Sequence, residues 1–478
     1  MIDLTKINWH YIHTRRRSPW YAYCWWQGVG TKTLDLGFDY QVKHVGAAGH
    51  KVLMSEIDWQ TQQQALLAEI EKEPLFLHKI LKKAYQAHEE FTEFCKKMYE
   101  IKDFSGYSND ELISKVNKYR DLFFCCDGPS ILPLYIEEDI TEKIYNIFKK
   151  ESKIADKEYA VVMTPVKDSI IILEEESLLK IVVKYKEEGK DTIIKDLIEH
   201  IFNYGWMKNV GYYGEFFDQD YYLQRIEKLI QENTEEQLQI IQWEREKKQK
   251  IFADLLEKYK NNKYLVSLIK TINEAIYYRS FRSEQFYQSP KYLITFFIEI
   301  AKRLGLSEYR DIFYFIPPEV VELLNKKQKG NQESIARRKD CFVLITNFED
   351  RVFYEGEEAK VIVDKIGVVS LETDEIKGQV AFSGKVTGIV KIVKGPDDFD
   401  KVNKGDILVA MSTQPNYVPI LKKVAAIVTE EGGVLCHASV ISRELEIPCI
   451  IGTKIVTQVL KDDDMVEVDA EKGVVRKL

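Results

Sequence analysis

The residues best suited to chemistry in this 478-residue chain lie between Thr429 and Thr453, TEEGGVLCHASVISRELEIPCIIGT. An apolar run, Val424 to Val428, leads into the stretch and is short and bounded like a buried strand. The pair Gly432-Gly433 follows, and then His437, which opens a segment placing Ala438, Ile441 and Leu445 on one helical face. Pro448 stops that helix, and Cys449-Ile450-Ile451 reads as the next strand. The order is strand, glycine turn, histidine, helix, strand.

That placement suits an anion. The first turn of a helix has unpaired N–H groups and the positive end of the macrodipole. Glycine carries no Cβ, so backbone approaches a phosphate closely and adopts positive φ. A neutral imidazole at such a place is a nucleophile that accepts a phosphoryl group. The same pattern also describes a buried histidine capping an ordinary strand–helix–strand unit. The glycine pair and the histidine alone leave both readings open.

The wider segment, with His437-Ala438, Arg443-Glu444 and Ile447-Pro448, resembles the phosphohistidine segment of the phosphoenolpyruvate-utilising enzymes. Upstream, Gly405 to Ala410, Thr413-Gln414-Pro415 and Pro419 resemble the mobile, swivelling domain of the same family. The resemblance implies that His437 is transiently phosphorylated. It also implies that Gly432, Gly433 and the backbone at Cys436 and Ala438 cradle the phosphate. Thr429 is expected to donate its hydroxyl to a phosphate oxygen. Arg443 is expected among the phosphate-binding residues and, lying nearly two turns along the helix, to face a partner domain or to pair near Glu444. For Cys436 a packing role is expected, since nothing in the sequence marks a reactive thiol.

The elements that must position this histidine are read from the rest of the chain. A net charge of −8 leaves no electrostatic footprint for nucleic acid, and runs such as Arg15-Arg16-Arg17 and Lys247-Lys248 read as solvated faces. The seven cysteines are scattered and lack a CxxC pair, so neither a disulfide frame nor a metal site is expected. No stretch approaches the about 20 apolar residues of a membrane span, and no signal-peptide core is visible. A cytoplasmic protein without membrane or nucleic-acid partners is expected.

The expected fold is multidomain α+β, with a mostly helical substrate-type domain ahead of a swivelling β/β/α phosphohistidine domain. Residues 1–57 form an aromatic-rich segment in which Gly28, Gly30, Gly37 and Gly46 favour short strands and turns over a long helix. His10, His13, His44 and His50 lie there without metal-ligand spacing. Residues 58–330 read as a helical substrate-binding domain. Leu77, Leu81, Ala84, His88, Phe91, Cys95 and Met98 trace one stripe, and Ser108 with Glu111 is a capping box. Further helices are expected near 137–150, 173–187, 190–203, 219–260, 262–278 and 290–304, with Glu232 to Lys250 as a solvated, charge-dense stretch. Residues 331–376 read as a short β linker module in which Cys341–Ile345 and Ala359–Val363 are strands. Charged stretches near Glu355–Lys360 and Leu371–Lys377 would permit a hinge. Residues 377–478 are the mobile domain.

Three aromatic places suit a small-molecule cleft, although aromatic stripes are more often plain core. They are His200 to Trp206 with Gly211 to Phe217, Tyr277 to Arg282, and the N-terminal segment. Met163-Thr164-Pro165, the Gly205-Trp206 segment and Arg279 through Tyr314 look like the helical substrate domain of the rifampicin phosphotransferase-like branch. Trp206, Arg279 and Arg282 are the substrate-binding residues that this likeness implies.

Family members that run from ATP carry an ATP-grasp domain, and residues 1–330 hold neither GxGxxG nor GxxxxGK[ST]. Nor is there length after residue 478 for a pyruvate-binding barrel. The expectation is therefore a phosphotransferase subunit that binds no cofactor itself. A separate ATP-grasp or phosphoenolpyruvate subunit would supply the phosphoryl group, using ATP and Mg, to a small-molecule acceptor in the helical domain. The alternative is a non-catalytic phosphocarrier or regulatory protein whose helical region binds a protein partner.

Overall fold

The structure, a computed structural model, describes the chain apart from residues 1–3, 5–6, 15–17, 31–41, 50, 210–212, 347–350, 367–374, 414–416, 434–435 and 454. Arg15-Arg16-Arg17, Gly37, His50, Gly211 and Gln414-Pro415, singled out in the sequence, lie outside the described residues. Two compact units are present. One comprises Met1–Ile136, Val210–Gly214 and Gln285–Val369, the other Glu137–Asn209, Glu215–Glu284 and Ser370–Leu478. They cut across the segments expected from the sequence.

In the first unit the aromatic segment is a buried helix, Pro19–Gly30, where short strands and turns were expected. Trp20, Tyr21, Trp25 and Trp26 are all buried, and Trp25 Nε1 donates to Ser130 Oγ at 3.0 Å. Burial of so much aromatic surface outweighs the helix propensity lost at Gly28 and Gly30. Gly28 serves the packing, because a Cβ there would lie 3.1 Å from the Phe124 carbonyl of the Asn109–Asp127 helix. The expected stripe lines the buried face of Phe76–Glu100, with His88 inside and its ring tilted against Phe286. Ser108 and Glu111 form the expected reciprocal cap.

The sheet of this unit is antiparallel, in the order β1 (Trp9–Thr14), β3 (Lys51–Ser55), β2 (Val45–Ala48), β4 (Phe342–Thr346), β5 (Arg351–Glu355). Phe342–Thr346 and Arg351–Glu355 thus share a sheet with the N-terminal strands, where a separate linker module was expected. Ala359–Val363 lies in a helix, Glu357–Ile366, where a strand was expected. Its β-branched residues look strand-like, yet Ala359, Ile362, Val363 and Ile366 fall on one helical face and pack in a common cluster. Glu355–Lys360 is accordingly a strand end and a helix start. Residues 371–374 of the second hinge stretch are outside the described ones. His10 stacks on Trp59 and hydrogen-bonds Glu56.

The second unit joins helices to an eight-stranded sheet. Its helices include Ala155–Met163, Ile170–Glu188, Ile194–Tyr204, Gln219–Leu229 and Thr234–Lys258. The single helix expected over 219–260 is two, because Asn233 caps a new start by accepting from the Glu236 amide at 3.3 Å. The charged stretch is also less free than expected, since Arg245 pairs with both Asp168 and Glu176.

The sheet runs in the order β6 (Glu375–Lys377), β13 (Val474–Lys477), β12 (Met465–Asp469), β8 (Lys385–Val393), β9 (Ile407–Ala410), β10 (Ala426–Thr429), β11 (Cys449–Ile451), β7 (Gln379–Phe382). Strands β8 to β11 pair in parallel, and the outer strands are antiparallel. Its core includes Val390, Ile407, Val409, Val428, Ile450 and Val466. The whole is a multidomain α+β protein. Among the described residues no helix is long and apolar enough to cross a membrane.

A Cβ on Gly46 of β2 would lie 2.3 Å from the Leu344 carbonyl and 2.7 Å from Ile345 Cα, both backbone atoms of β4. Gly46→Ala should therefore destabilise the first unit by about 3 kcal/mol, the upper end of overpacking costs. The urea midpoint followed by tryptophan fluorescence measures this, and an unchanged midpoint would separate residues 342–346 from the N-terminal strands.

Candidate functional site

Parallel register places the histidine. Ala410 at the end of β9 pairs with Thr429 at the end of β10, so both chains leave the sheet side by side. Thr413 follows the first end and His437 the second. Thr413 Oγ1 and His437 Nδ1 are 2.8 Å apart. In the tautomer with the proton on Nδ1, the hydroxyl accepts it and the Nε2 lone pair is the nucleophile. This orienting threonine was missed as a site residue in the sequence, although its Thr-Gln-Pro setting was part of the resemblance.

The turn between β10 and the histidine is built as the glycines require. Thr429 is wholly buried and its hydroxyl donates to the Glu431 carbonyl at 2.6 Å, so it fastens the turn. The expected donation to a phosphate oxygen is not what this hydroxyl does here. Gly432 has φ +124°, and a Cβ there would also meet Cys436 Sγ at 2.6 Å. Cys436 is the residue before the His437–Glu444 helix, and its amide donates to the Gly433 carbonyl at 2.9 Å. Ser439 Oγ donates to the same carbonyl at 3.0 Å. Ala438 is buried under the first turn. The helix ends before Pro448, as expected, and β11 follows in parallel with β10.

Gly433 has a second neighbour. A Cβ on it would lie 2.4 Å from Glu137 Oε1, and Glu137 Oε2 accepts from Arg279 Nη1 at 2.8 Å. Arg279, an expected substrate residue, is thus joined to the histidine turn through Glu137. Nothing in the sequence linked Glu137 to a motif nearly 300 positions away. Arg443 donates to the Met163 carbonyl at 3.2 Å, so it faces the helices of this unit. Burial pulls its pKa down, opposed by the neighbouring Tyr159. Arg282 and Trp206 are buried, and the indole of Trp206 donates to the Asn203 carbonyl at 2.6 Å.

A cleft does exist in this unit, about 860 Å³ in volume, with His200, Tyr204, Tyr277, Lys180, Asp168 and Arg245 among its lining residues. His200 is clamped between Ser177 Oγ at 2.9 Å and Glu174 Oε1 at 3.3 Å, and Glu174 also holds Arg225. Burial pushes the Glu174 carboxyl up, but His200 and Arg225 outweigh it and hold the carboxyl below its usual range.

Two further carboxyls lie against the far end of the histidine helix. Glu444 Oε2 accepts from Ser169 Oγ at 2.9 Å. Burial raises the Glu444 pKa to about 7, with Lys248 opposing and Asp168 adding. Burial raises Glu284 to about 8, with the Ile170 amide opposing and Glu444 adding. Both start from 4.5 in the unfolded chain, so the folded state holds more protons between about 4.5 and about 8. Stability must fall as pH rises through that window and level off above it. Glu284→Gln should flatten the decline in thermal midpoint from about pH 5 to about pH 8, and an unaltered slope would show that Glu284 does not titrate there.

The comparisons with known proteins agree with the geometry of the turn. Residues 402–473 match the family PEP-utilising enzyme, mobile domain. The probable phosphoenolpyruvate synthase of Archaeoglobus fulgidus is 50% identical over 100 residues, 21% of this chain and 13% of its own. The phosphoenolpyruvate synthase of Pyrococcus furiosus is 44% identical over 123 residues, 26% of this chain and 14% of its own. An uncharacterized phosphotransferase, YvkC of Bacillus subtilis, is 30% identical over 183 residues, 37% of this chain and 22% of its own. The matched stretches thus span only 13% to 22% of these relatives. In residues 402–473, the segment that holds His437 and its turn, the chain carries the mobile domain of the phosphoenolpyruvate-utilising enzymes.

Proposed function

We propose that this chain is a phosphotransferase that carries a phosphoryl group on His437 to a small-molecule acceptor held by the helices of the second unit. The observation that carries the reading is the pairing of His437 Nδ1 with Thr413 at the end of two parallel strands, above a turn that requires glycine. The hydroxyl holds the ring, and in the tautomer with the proton on Nδ1 it leaves the Nε2 lone pair as the nucleophile. The amides of the helix start and the glycine turn would cradle the charge that the phosphoryl group brings. The likeness to phosphoenolpyruvate synthases supports the same chemistry.

The donor in this proposal is a separate ATP-grasp or phosphoenolpyruvate-binding subunit, with ATP and Mg bound there. The cleft of about 860 Å³ has room for a small-molecule acceptor. A carrier that serves two sites must also let go of its surroundings, and polar contacts hold the histidine helix to the helices. They include Arg443 with Met163, Glu444 with Ser169 and, nearby, Lys422 with Glu175.

Given the donor subunit and β- or γ-labelled ATP, label should appear on this chain and vanish in brief acid while surviving base, because a P–N bond is acid-labile. His437→Ala and the closer mimic His437→Asn should both abolish it. Thr413→Val should slow labelling about 10-fold, the worth of one hydrogen bond. Undiminished acid-labile label in His437→Asn would move the carrier to another residue.

A further inference from the structure

The helices of the second unit hold another group of side chains with reactive geometry, away from the histidine turn. Glu174 and Ser177 stand one turn apart on the Ile170–Glu188 helix, and His200 of the Ile194–Tyr204 helix bonds to both. Ser177 Oγ is 2.9 Å from His200 Nδ1, and Glu174 Oε1 is 3.3 Å from Nε2. Arg225 grips both oxygens of Glu174. Tyr222 meets the imidazole edge-on with 4.6 Å between ring centres, and Tyr204 is tilted against it at 4.9 Å. Two bonds and two rings thus fix the plane of a buried imidazole.

These partners decide where the protons lie. Against the upward push of burial, His200 and Arg225 hold the Glu174 carboxyl below its usual range, so it is ionised and only accepts. The neutral ring therefore carries its hydrogen on Nε2. Nδ1 is left with a lone pair, which accepts from the Ser177 hydroxyl. A nucleophile, its base and the group that orients the base are thereby joined, which is how a serine is activated. The two nitrogens exchange the places that serine proteases give them, and the proton path is the same.

A polar pin between two helices would need no opening, yet Ser177 and His200 both line the cleft of about 860 Å³. Leu173 and Ile181, four residues before and after Ser177, line it too, so the serine stands in an apolar stripe. The cations Lys180, Lys184 and Arg245 are paired with Glu176, Asp196 and Asp168 of the same lining, and Glu199 adds a carboxylate. Such walls suit a neutral, partly apolar molecule and disfavour an anion. Burial raises the Tyr204 pKa, so its phenol, hydrogen-bonded to Ser177, stays protonated as a donor beside the nucleophile.

We propose that Ser177, His200 and Glu174 form a catalytic centre of their own, which hydrolyses neutral carboxylic esters bound in this cleft. The inference gives the cleft a chemistry separate from His437 and does not rest on the carrier reading. Ser177 Oγ attacks the ester carbonyl carbon as its proton passes to His200 Nδ1, and the Tyr204 phenol donates to the oxyanion. The tetrahedral intermediate collapses, the bond to the alkoxy oxygen breaks, and the leaving alcohol takes the proton from Nδ1. Water then attacks the acyl-serine and gives a proton to Nδ1. The bond between Oγ and the acyl carbon breaks, Oγ recovers the proton, and a carboxylic acid leaves. Glu174 stays ionised throughout and steadies the imidazolium.

The test treats the full chain with diisopropyl phosphorofluoridate, which loses fluoride to an activated serine and not to an ordinary one. Mass spectrometry of the intact chain and of its peptides should find one adduct, on Ser177. Ser177→Ala, a small change at a half-buried position, should lose it. His200→Gln, which keeps polar contacts, should slow labelling roughly 100-fold, the usual worth of a positioned base. Equal thermal midpoints would show that both variants are folded. With 4-nitrophenyl butyrate, wild type should give a burst of nitrophenol followed by turnover, both lost in Ser177→Ala. The anionic 4-nitrophenyl hemisuccinate should be cleaved more slowly than the butyrate. An unlabelled Ser177 in wild type, or equal labelling in His200→Gln, would overturn the centre, and a preference for the hemisuccinate would overturn its substrate class. None of these outcomes bears on His437, whose acid-labile label tests the carrier reading separately.

Discussion

Parallel pairing between β9, β10 and β11 is the constraint on which the site depends. Parallel neighbours cannot be joined by a tight turn, so each return must cross outside the sheet. The segments leaving β9 and β10 therefore emerge together at the carboxyl ends of the strands, the edge where open sheets of this kind bind ligands. Register does the rest: with Ala410 opposite Thr429, the threonine after one strand and the histidine after the next fall within 2.8 Å. Strands β9 and β10 are buried along their whole length, so the pair lies inside the sheet.

Charge around the turn is handled by pairing or by neutralisation. Glu137 is paired with Arg279, whereas Glu284 and Glu444 are held toward the protonated form by burial. Neither arrangement adds much net stability, because desolvation consumes most of the attraction in the first and disfavours ionisation in the second. The polar contacts between the histidine helix and the helices of its unit are thus specific, and their charges add little net stability. That combination suits an element whose chemistry requires arrival and departure.

The histidine turn was legible because its signals are local. Gly432 needs positive φ, Pro448 stops a helix, and the apolar runs on either side have strand length, all within one short stretch. The Phe76–Glu100 stripe and the Ser108 cap were legible for the same reason. What failed was whatever depends on partners far along the chain. The Pro19–Gly30 helix is decided by the core that takes its tryptophans, and Glu357–Ile366 by a sheet face that its apolar side covers. Glu137 carries no motif; only the fold sets it beside Gly433. The backbone partners of Trp206 and of the Thr429 hydroxyl were likewise not to be read from residue type alone.

The pairing of β2 with β4 reaches across most of the chain, from Gly46 to Ile345. Each unit is also assembled from three separate segments threaded through the other in sequence. A ribosome adding about 5–20 residues per second leaves the N-terminal strands without their neighbour for on the order of 15 to 60 seconds. During that interval the edge of β2 has exposed amides and carbonyls, the kind of edge that recruits foreign strands. Neither unit can be cut out as a continuous fragment, so expression of this protein depends on shielding an unfinished sheet until its last strands arrive.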